Sequence, residues 1–125
     1  MTGPLGTVLI VDDEVDLCES VRFIFDDGGY QTYLAHNVKQ AMSVIESEDI
    51  DFVVSDIRMP GESGVDLLRK IKARDPEKPR VILVTGYADL TVEEGKKAGA
   101  EAMIRKPVKL EELFDTVERL RESKS

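Results

Sequence analysis

Two kinds of hydrophobic pattern alternate along the chain. Val8 to Val11 and Val81 to Val84 are unbroken apolar runs, and Ile50 to Val54 is nearly one. Such short continuous runs suit strands covered on both faces. Between them, Leu17, Cys18, Val21, Ile24 and Phe25 recur at helical spacing, as do Val38, Ala41, Met42 and Ile45, and later Leu110, Leu113, Phe114, Val117 and Leu120. Each set forms one apolar stripe on a helix. Two more polar segments, Tyr30 to Ala35 and Ala102 to Arg105, read as edge strands. The punctuation agrees: Gly28-Gly29 stops the first helix, Asn37 with Gln40 and Ser63 with Asp66 resemble capping boxes, and Gly99 closes a fourth helix. The order βαβαβαβαβα predicts an α/β fold, a doubly wound (βα)5 domain whose five parallel strands are joined by right-handed crossovers with helices on both faces.

Residues 1–6 lack periodicity and are expected to be a terminal tail or tag remnant, with one domain over 7–122 and a tail at 123–125. The fourth helix, expected from about Leu90 to Ala98, has no good apolar stripe and contains Gly95, which costs about 1 kcal/mol relative to Ala in a helix interior. That predicts a labile element.

Composition narrows the function. With 125 residues, 42% hydrophobic and 34% charged, the chain can bury one core without staples, and disorder is excluded. A net charge of −8 repels phosphate backbones and anionic lipid heads, so no direct nucleic-acid partner is expected. No apolar run exceeds four residues, which gives no spanning helix or signal segment and predicts a cytoplasmic protein without membrane insertion. One cysteine, Cys18, and one histidine, His36, cannot build the usual zinc shells, so any metal must take oxygen ligands. The acids are concentrated early: residues 1–56 hold 12 acidic and 2 basic side chains, residues 57–125 hold 13 and 15.

In an open parallel sheet, ligands bind beyond the carboxyl ends of the strands, where the strand order reverses. Asp12, Asp13 and Glu14 follow the first strand, Asp56 the third, Thr85 and Gly86 the fourth, and Lys106 and Pro107 the fifth. Singly, each has an ordinary role as helix cap, turn residue or surface lysine. Together, three carboxylates converging near one lysine repel strongly in a partly desolvated crevice unless a cation balances them. A divalent ion with Lys106 supplies three positive charges against three negative. Magnesium suits the set, because it takes oxygen ligands and keeps several waters.

Asp12-Asp13, then Asp56 followed by Ile57-Arg58-Met59-Pro60 and Gly64, then Thr85-Gly86, then Lys106-Pro107 resemble the receiver domain of two-component response regulators. The resemblance runs from Thr7 across essentially the whole chain, and it rests on four short motifs standing in order at the expected strand ends. It implies a flavodoxin-like strand order of 2-1-3-4-5, as in the chemotaxis regulator of that family. It implies that Asp56 accepts a phosphoryl group from a sensor histidine kinase or phosphotransfer protein. Asp13 and Asp56 would bind Mg2+ directly, Asp12 through water, and the Arg58 carbonyl would complete the protein ligands. Thr85 would donate its hydroxyl to a phosphoryl oxygen, and a cis Lys106-Pro107 bond would aim the lysine inward. The domain would promote transfer to its own Asp56 and hydrolysis of the aspartyl phosphate without being a turnover enzyme.

The sequence also bears on three other functions. A haloacid dehalogenase-type phosphatase needs a second Asp two residues after the first, where Arg58 stands. A flavin carrier needs a phosphate loop after the first strand, where Asp12-Asp13-Glu14 would repel it. A pseudo-receiver, acting as an interaction module without phosphorylation, would be expected to lack members of the side-chain set Asp12, Asp13, Asp56, Thr85 and Lys106, and all five are present.

The resemblance also implies a reading surface on the fourth helix, fifth strand and fifth helix, where Lys96, Lys97, Lys109, Glu111, Glu112 and Asp115 supply mixed charge toward a downstream protein target, an output domain or a phosphorylation-dependent homodimer. Arg58 and Tyr87 would shield the acyl phosphate. Met103 stands where the family often has an aromatic residue, so coupling to Thr85 is expected to be weak. Cys18 is expected in the core, His36 on the surface, and Tyr30 and Tyr33 on opposite sides of an edge strand, one packed and one exposed.

Overall fold

A computed structural model describes residues 3–86 and 92–123. Its elements are β1 (Thr7–Val11), α1 (Val15–Asp27), β2 (Gln31–Ala35), α2 (Val38–Ser47), β3 (Phe52–Asp56), α3 (Gly64–Arg74), β4 (Arg80–Thr85), α4 (Val92–Lys97), β5 (Ala102–Arg105) and α5 (Leu110–Glu122). The strands form one sheet in the order β2-β1-β3-β4-β5, with every neighbouring pair parallel. The expected doubly wound architecture and strand order are both present.

The apolar runs are explained by a core on each side of the sheet. Leu9, Val11, Val53, Val81 and Leu83 pack with Ala41 and Ile45 of α2 and with Leu67, Leu68 and Ile71 of α3. Val8, Ile10, Val54, Ile82 and Val84 turn to the other side and meet Cys18, Val21 and Phe25 of α1 and Leu113 and Val117 of α5. Alternate residues of one strand thus enter different cores, and neither face can be polar.

Some boundaries move. β3 was expected from Ile50 but begins at Phe52 and runs through Asp56, because Asp56 still pairs with Val84 in the ladder. Ile50 is buried against the α2 and α3 core from the preceding loop. Ser63 and Asp66 form the reciprocal capping box. The Asn37 box is rerouted: the Asn37 side chain accepts from Gln40 N at 2.8 Å, while Gln40 Oε1 accepts from His36 N at 2.9 Å. Gly29 (φ +100°) ends α1 and Gly99 (φ +112°) ends α4, in the left-handed conformation that favours glycine. Leu5 N donates to Gly29 O at 2.9 Å and Gly6 O accepts from Gln31 N at 3.0 Å, so these two residues of the sequence-assigned tail are hydrogen-bonded beside β2. Tyr30 is buried and Tyr33 half-buried. Tyr87, and the start of the fourth helix at Leu90, lie outside the described residues. Among the described residues no helix is long and apolar enough to cross a membrane.

Candidate functional site

The chain leaves β1 for β2 on one side and later returns to place β3 on the other, so the strand order reverses between β1 and β3. Val11 pairs with Ser55 across that gap, which sets Asp12 and Asp56 side by side at the carboxyl ends. Asp13 follows on an exposed turn. One carboxylate oxygen from each of Asp12, Asp13 and Asp56 lies within 4.8 Å of the others. Asp12 and Asp56 are each 5% exposed.

Local structure holds each acid in place. Asp12 N donates to Ala35 O of β2 at 3.1 Å, and Asp12 Oδ1 accepts from Glu14 N at 2.9 Å. Asp56 ends a strand whose five residues are all buried. The chain then turns through Gly61 (φ +81°) into α3. A Cβ on Gly64 would stand 2.3 Å from the Asp56 carbonyl oxygen, so only glycine lets the start of α3 close on the backbone of Asp56. Lys106 N donates to Thr85 O at 2.9 Å, carrying the β4-β5 pairing one residue further and bringing the lysine to the crevice. Its Nζ donates to Asp56 Oδ2 at 3.0 Å. The Lys106-Pro107 peptide is cis, as is Lys78-Pro79.

The electrostatics are those of crowded acids. Burial, opposed by the Glu14 amide and reinforced by the neighbouring charges of Asp56 and Asp13, pushes the Asp12 carboxyl from 3.8 up to about 6. Desolvation works against the Lys106 ammonium, but its hydrogen bond to Asp56 and the charges of Asp56, Asp12 and Glu14 outweigh that and hold its pKa above the ordinary lysine value. Asp56 Oδ1 is buried and meets no hydrogen-bond donor among the described residues. A buried carboxylate oxygen without a partner costs free energy unless something positive comes to it. With two further carboxylates beside it, the donor set fits a hard, oxygen-seeking divalent cation.

Asp12, Asp13, Asp56 and Lys106 are therefore brought together. Thr85 is buried at the end of β4, with its hydroxyl donating to Gly86 O at 2.9 Å. Arg58 is exposed on the turn that follows Asp56. His36, expected on the surface, is instead half-buried behind Asp12, its Nδ1 3.0 Å from Asp12 O. The same carbonyl takes the thiol of buried Cys18 at 3.4 Å. A signal for His36 existed in the sequence, since it directly follows β2 and so occupies the same edge of the sheet as the other site residues.

A doubly wound parallel sheet with a carboxylate cluster beside a lysine at the point of strand reversal defines an α/β domain whose strand ends suit a divalent cation. Comparison with known proteins makes the class specific. The profile of the response regulator receiver domain matches residues 8–118. Sporulation initiation phosphotransferase F of Bacillus subtilis is 35% identical over 113 residues, covering 90% of both chains. Response regulator protein PilR of Pseudomonas aeruginosa is 39% identical over 117 residues, of which this chain spans 26% of the length. Among solved structures, a CheY-like receiver domain protein of Methanospirillum hungatei superposes with a TM-score of 0.85 at 31% identity over 94% of both chains. Response regulator TrrA of Thermotoga maritima, solved in complex with Mg2+-BeF, gives 0.81 at 28% identity over 92% of this chain and 98% of its own. The chain belongs to the response regulator receiver domain family. It is a receiver domain of two-component signalling, with the phosphoryl-accepting switch role of that family.

Proposed function

We propose that Asp56 is the phosphoryl acceptor and that Asp12, Asp13, Asp56 and the main-chain carbonyl of Arg58 hold a magnesium ion beside it. One observation carries the reading: Asp56 has one oxygen on Lys106 at 3.0 Å and the other buried with no donor among the described residues, in a residue whose carboxylate clusters with those of Asp12 and Asp13. When bound, the cation neutralises charge on the incoming phosphoryl oxygens. The chain's own groups do the rest. A carboxylate oxygen of Asp56 attacks phosphorus, a P–O bond forms, and the N–P bond of a phosphohistidine donor breaks as the leaving imidazole takes up a proton. Lys106 moves from Asp56 Oδ2 to the transferred phosphoryl group, and Thr85 exchanges its Gly86 bond for a phosphoryl oxygen. Hydrolysis of the aspartyl phosphate resets the domain.

The donor is a sensor histidine kinase or a phosphotransfer protein, and the cytoplasm is where such a donor meets it. Exposed Lys96, Lys97, Lys109, Glu111, Glu112 and Asp115 form the surface read by a downstream target, an output domain or a second phosphorylated copy. Incubation with acetyl phosphate and magnesium, followed by intact-mass spectrometry, tests the assignment. The parent gains one phosphoryl mass and Asp56→Asn gains none. Equal labelling of both proteins overturns it, and no labelling of the parent by acetyl phosphate or a histidine phosphodonor favours the pseudo-receiver reading.

A further inference from the structure

The Asp12-Asp13 peptide is the joint on which two of the three carboxylates turn. β1 ends at Val11, and the last ladder-like bond on this segment is Asp12 N to Ala35 O at 3.1 Å. Beyond it, the direction of both side chains depends on the plane of the Asp12-Asp13 peptide, because that rigid unit sets ψ of Asp12 and φ of Asp13 together. Its carbonyl oxygen is gripped from two sides. Cys18 of α1 donates its thiol at 3.4 Å, and His36, from the turn between β2 and α2, brings Nδ1 to 3.0 Å. A carbonyl only accepts, so Nδ1 must carry the hydrogen.

His36 is itself held. Its backbone N–H donates to Gln40 Oε1, and Gln40 N donates to the Asn37 cap, so the first turn of α2 fixes the loop that carries the ring. The path runs from the capped start of α2 through the imidazole to the carbonyl of a candidate metal ligand. The thiol is a weak donor. The imidazole is therefore the stronger of the two restraints on that peptide.

We infer that His36 is a positioning residue: its Nδ1–H fixes the Asp12-Asp13 peptide so that both carboxylates meet a divalent cation without reorganising. This rests on the reading of Asp12 and Asp13 as cation ligands given above. A donor that acts through the main chain predisposes affinity without touching the ion, as hydrogen bonds behind metal ligands generally do, with losses of roughly tenfold or more when they are removed.

Two measurements on the whole chain test it. Long-range proton–nitrogen correlation on the metal-free protein is expected to show the His36 ring hydrogen on Nδ1, with Nε2 bare. The opposite tautomer overturns the proposal outright, with no metal involved. Magnesium is then titrated into parent, His36→Ala and His36→Asn, following backbone amide shifts of Asp13 and Glu14, with thermal melts as a folding control. His36→Ala is expected to weaken affinity roughly tenfold. His36→Asn, whose amide N–H reaches the same carbonyl, should restore most of it. Unchanged affinity in His36→Ala, or equal loss in both variants, overturns the positioning role while the cation site stands. A parent that binds no magnesium overturns the site reading and this proposal with it.

Discussion

The thioether of Met103 fills the space that a side chain at Gly95 would need. A Cβ on Gly95 would stand 2.3 Å from Met103 Sδ and 2.8 Å from its Cε. From the sequence, Gly95 is a weak point in a short helix. In the fold it is a buried notch through which α4 approaches β5.

Gly95→Ala therefore sets two effects against each other. Alanine gains about 1 kcal/mol of helix propensity. It also displaces a methionine end, and methionine yields more readily than a ring or a backbone. We expect little change in the unfolding midpoint of the parent, and about 1 kcal/mol of stabilisation when Gly95→Ala is made in a Met103→Ala background. Urea denaturation of the four proteins in the cycle measures this. Equal stabilisation in both backgrounds contradicts the notch.

Gly28 makes the opposite case. In the sequence it pairs with Gly29 as a helix stop, yet its φ of −82° suits any residue, whereas Gly29 at +100° needs glycine. What requires Gly28 is Phe114 of α5: a Cβ would lie 2.3 Å from ring carbon Cε1 and 2.5 Å from Cζ. That ring packs against Phe25 at 5.5 Å and Tyr30 at 5.9 Å between centroids, contacts that its displacement would disturb. Gly28→Ala is expected to cost about 1–3 kcal/mol by overpacking. A second change, Phe114→Leu, should recover part of the cost of Gly28→Ala. Thermal melts showing no loss in Gly28→Ala would leave the ring contact without energetic weight.

The contrast shows which parts of the molecule were legible in the sequence. Strands such as Val8 to Val11 could be read because burial on both faces leaves no polar alternative, a constraint each strand carries by itself. Asp12, Asp13, Asp56 and Lys106 could be read because strand ends in a parallel sheet converge, whatever the details of packing. Gly28 and Gly95 could not, because each depends on a side chain of another element, Phe114 and Met103; His36 offered only its place after β2, since its contact with the Asp12 carbonyl leaves no pattern in the sequence. Leu5 and Gly6 were hidden for a different reason, since their contacts to Gly29 and Gln31 are main-chain bonds that impose no pattern on side chains.

Magnesium should stabilise the fold. A cation that binds the folded site and not the unfolded chain adds about 2.7 kcal/mol at a hundredfold excess over its dissociation constant. Removing one ligand should remove most of that gain, so Asp13→Asn at the same magnesium concentration is expected to shift little. Asp13 is the exposed member of the cluster, which keeps its own folding cost small. Urea denaturation with magnesium and with EDTA separates the outcomes. Equal gains in parent and Asp13→Asn would mean a general salt effect rather than a site.

The metal-free protein should also carry a signature of Asp12 in its pH dependence. Burial, with the charges of Asp56 and Asp13 behind it, raises this carboxyl from 3.8 to about 6 in the folded state. A raised carboxyl pKa means that the folded chain binds a proton more tightly than the unfolded one. The associated stability is complete below about pH 3.8 and is lost as the pH rises through about 6, after which it stays lost. Asp12→Asn mimics the protonated form and has nothing to lose in that window. Parent and variant, both in EDTA, are therefore expected to differ least near pH 4. The variant should pull ahead as the pH rises to about 6 and hold a constant lead above it. Magnesium reverses the order for the parent, because the ion binds the ionised carboxylates and removes the repulsion that burial leaves uncompensated. Urea unfolding at a series of pH values, with and without the ion, reads both effects. A difference between the two EDTA samples that does not change across the window would mean that Asp12 ionises in the fold as it does in the unfolded chain.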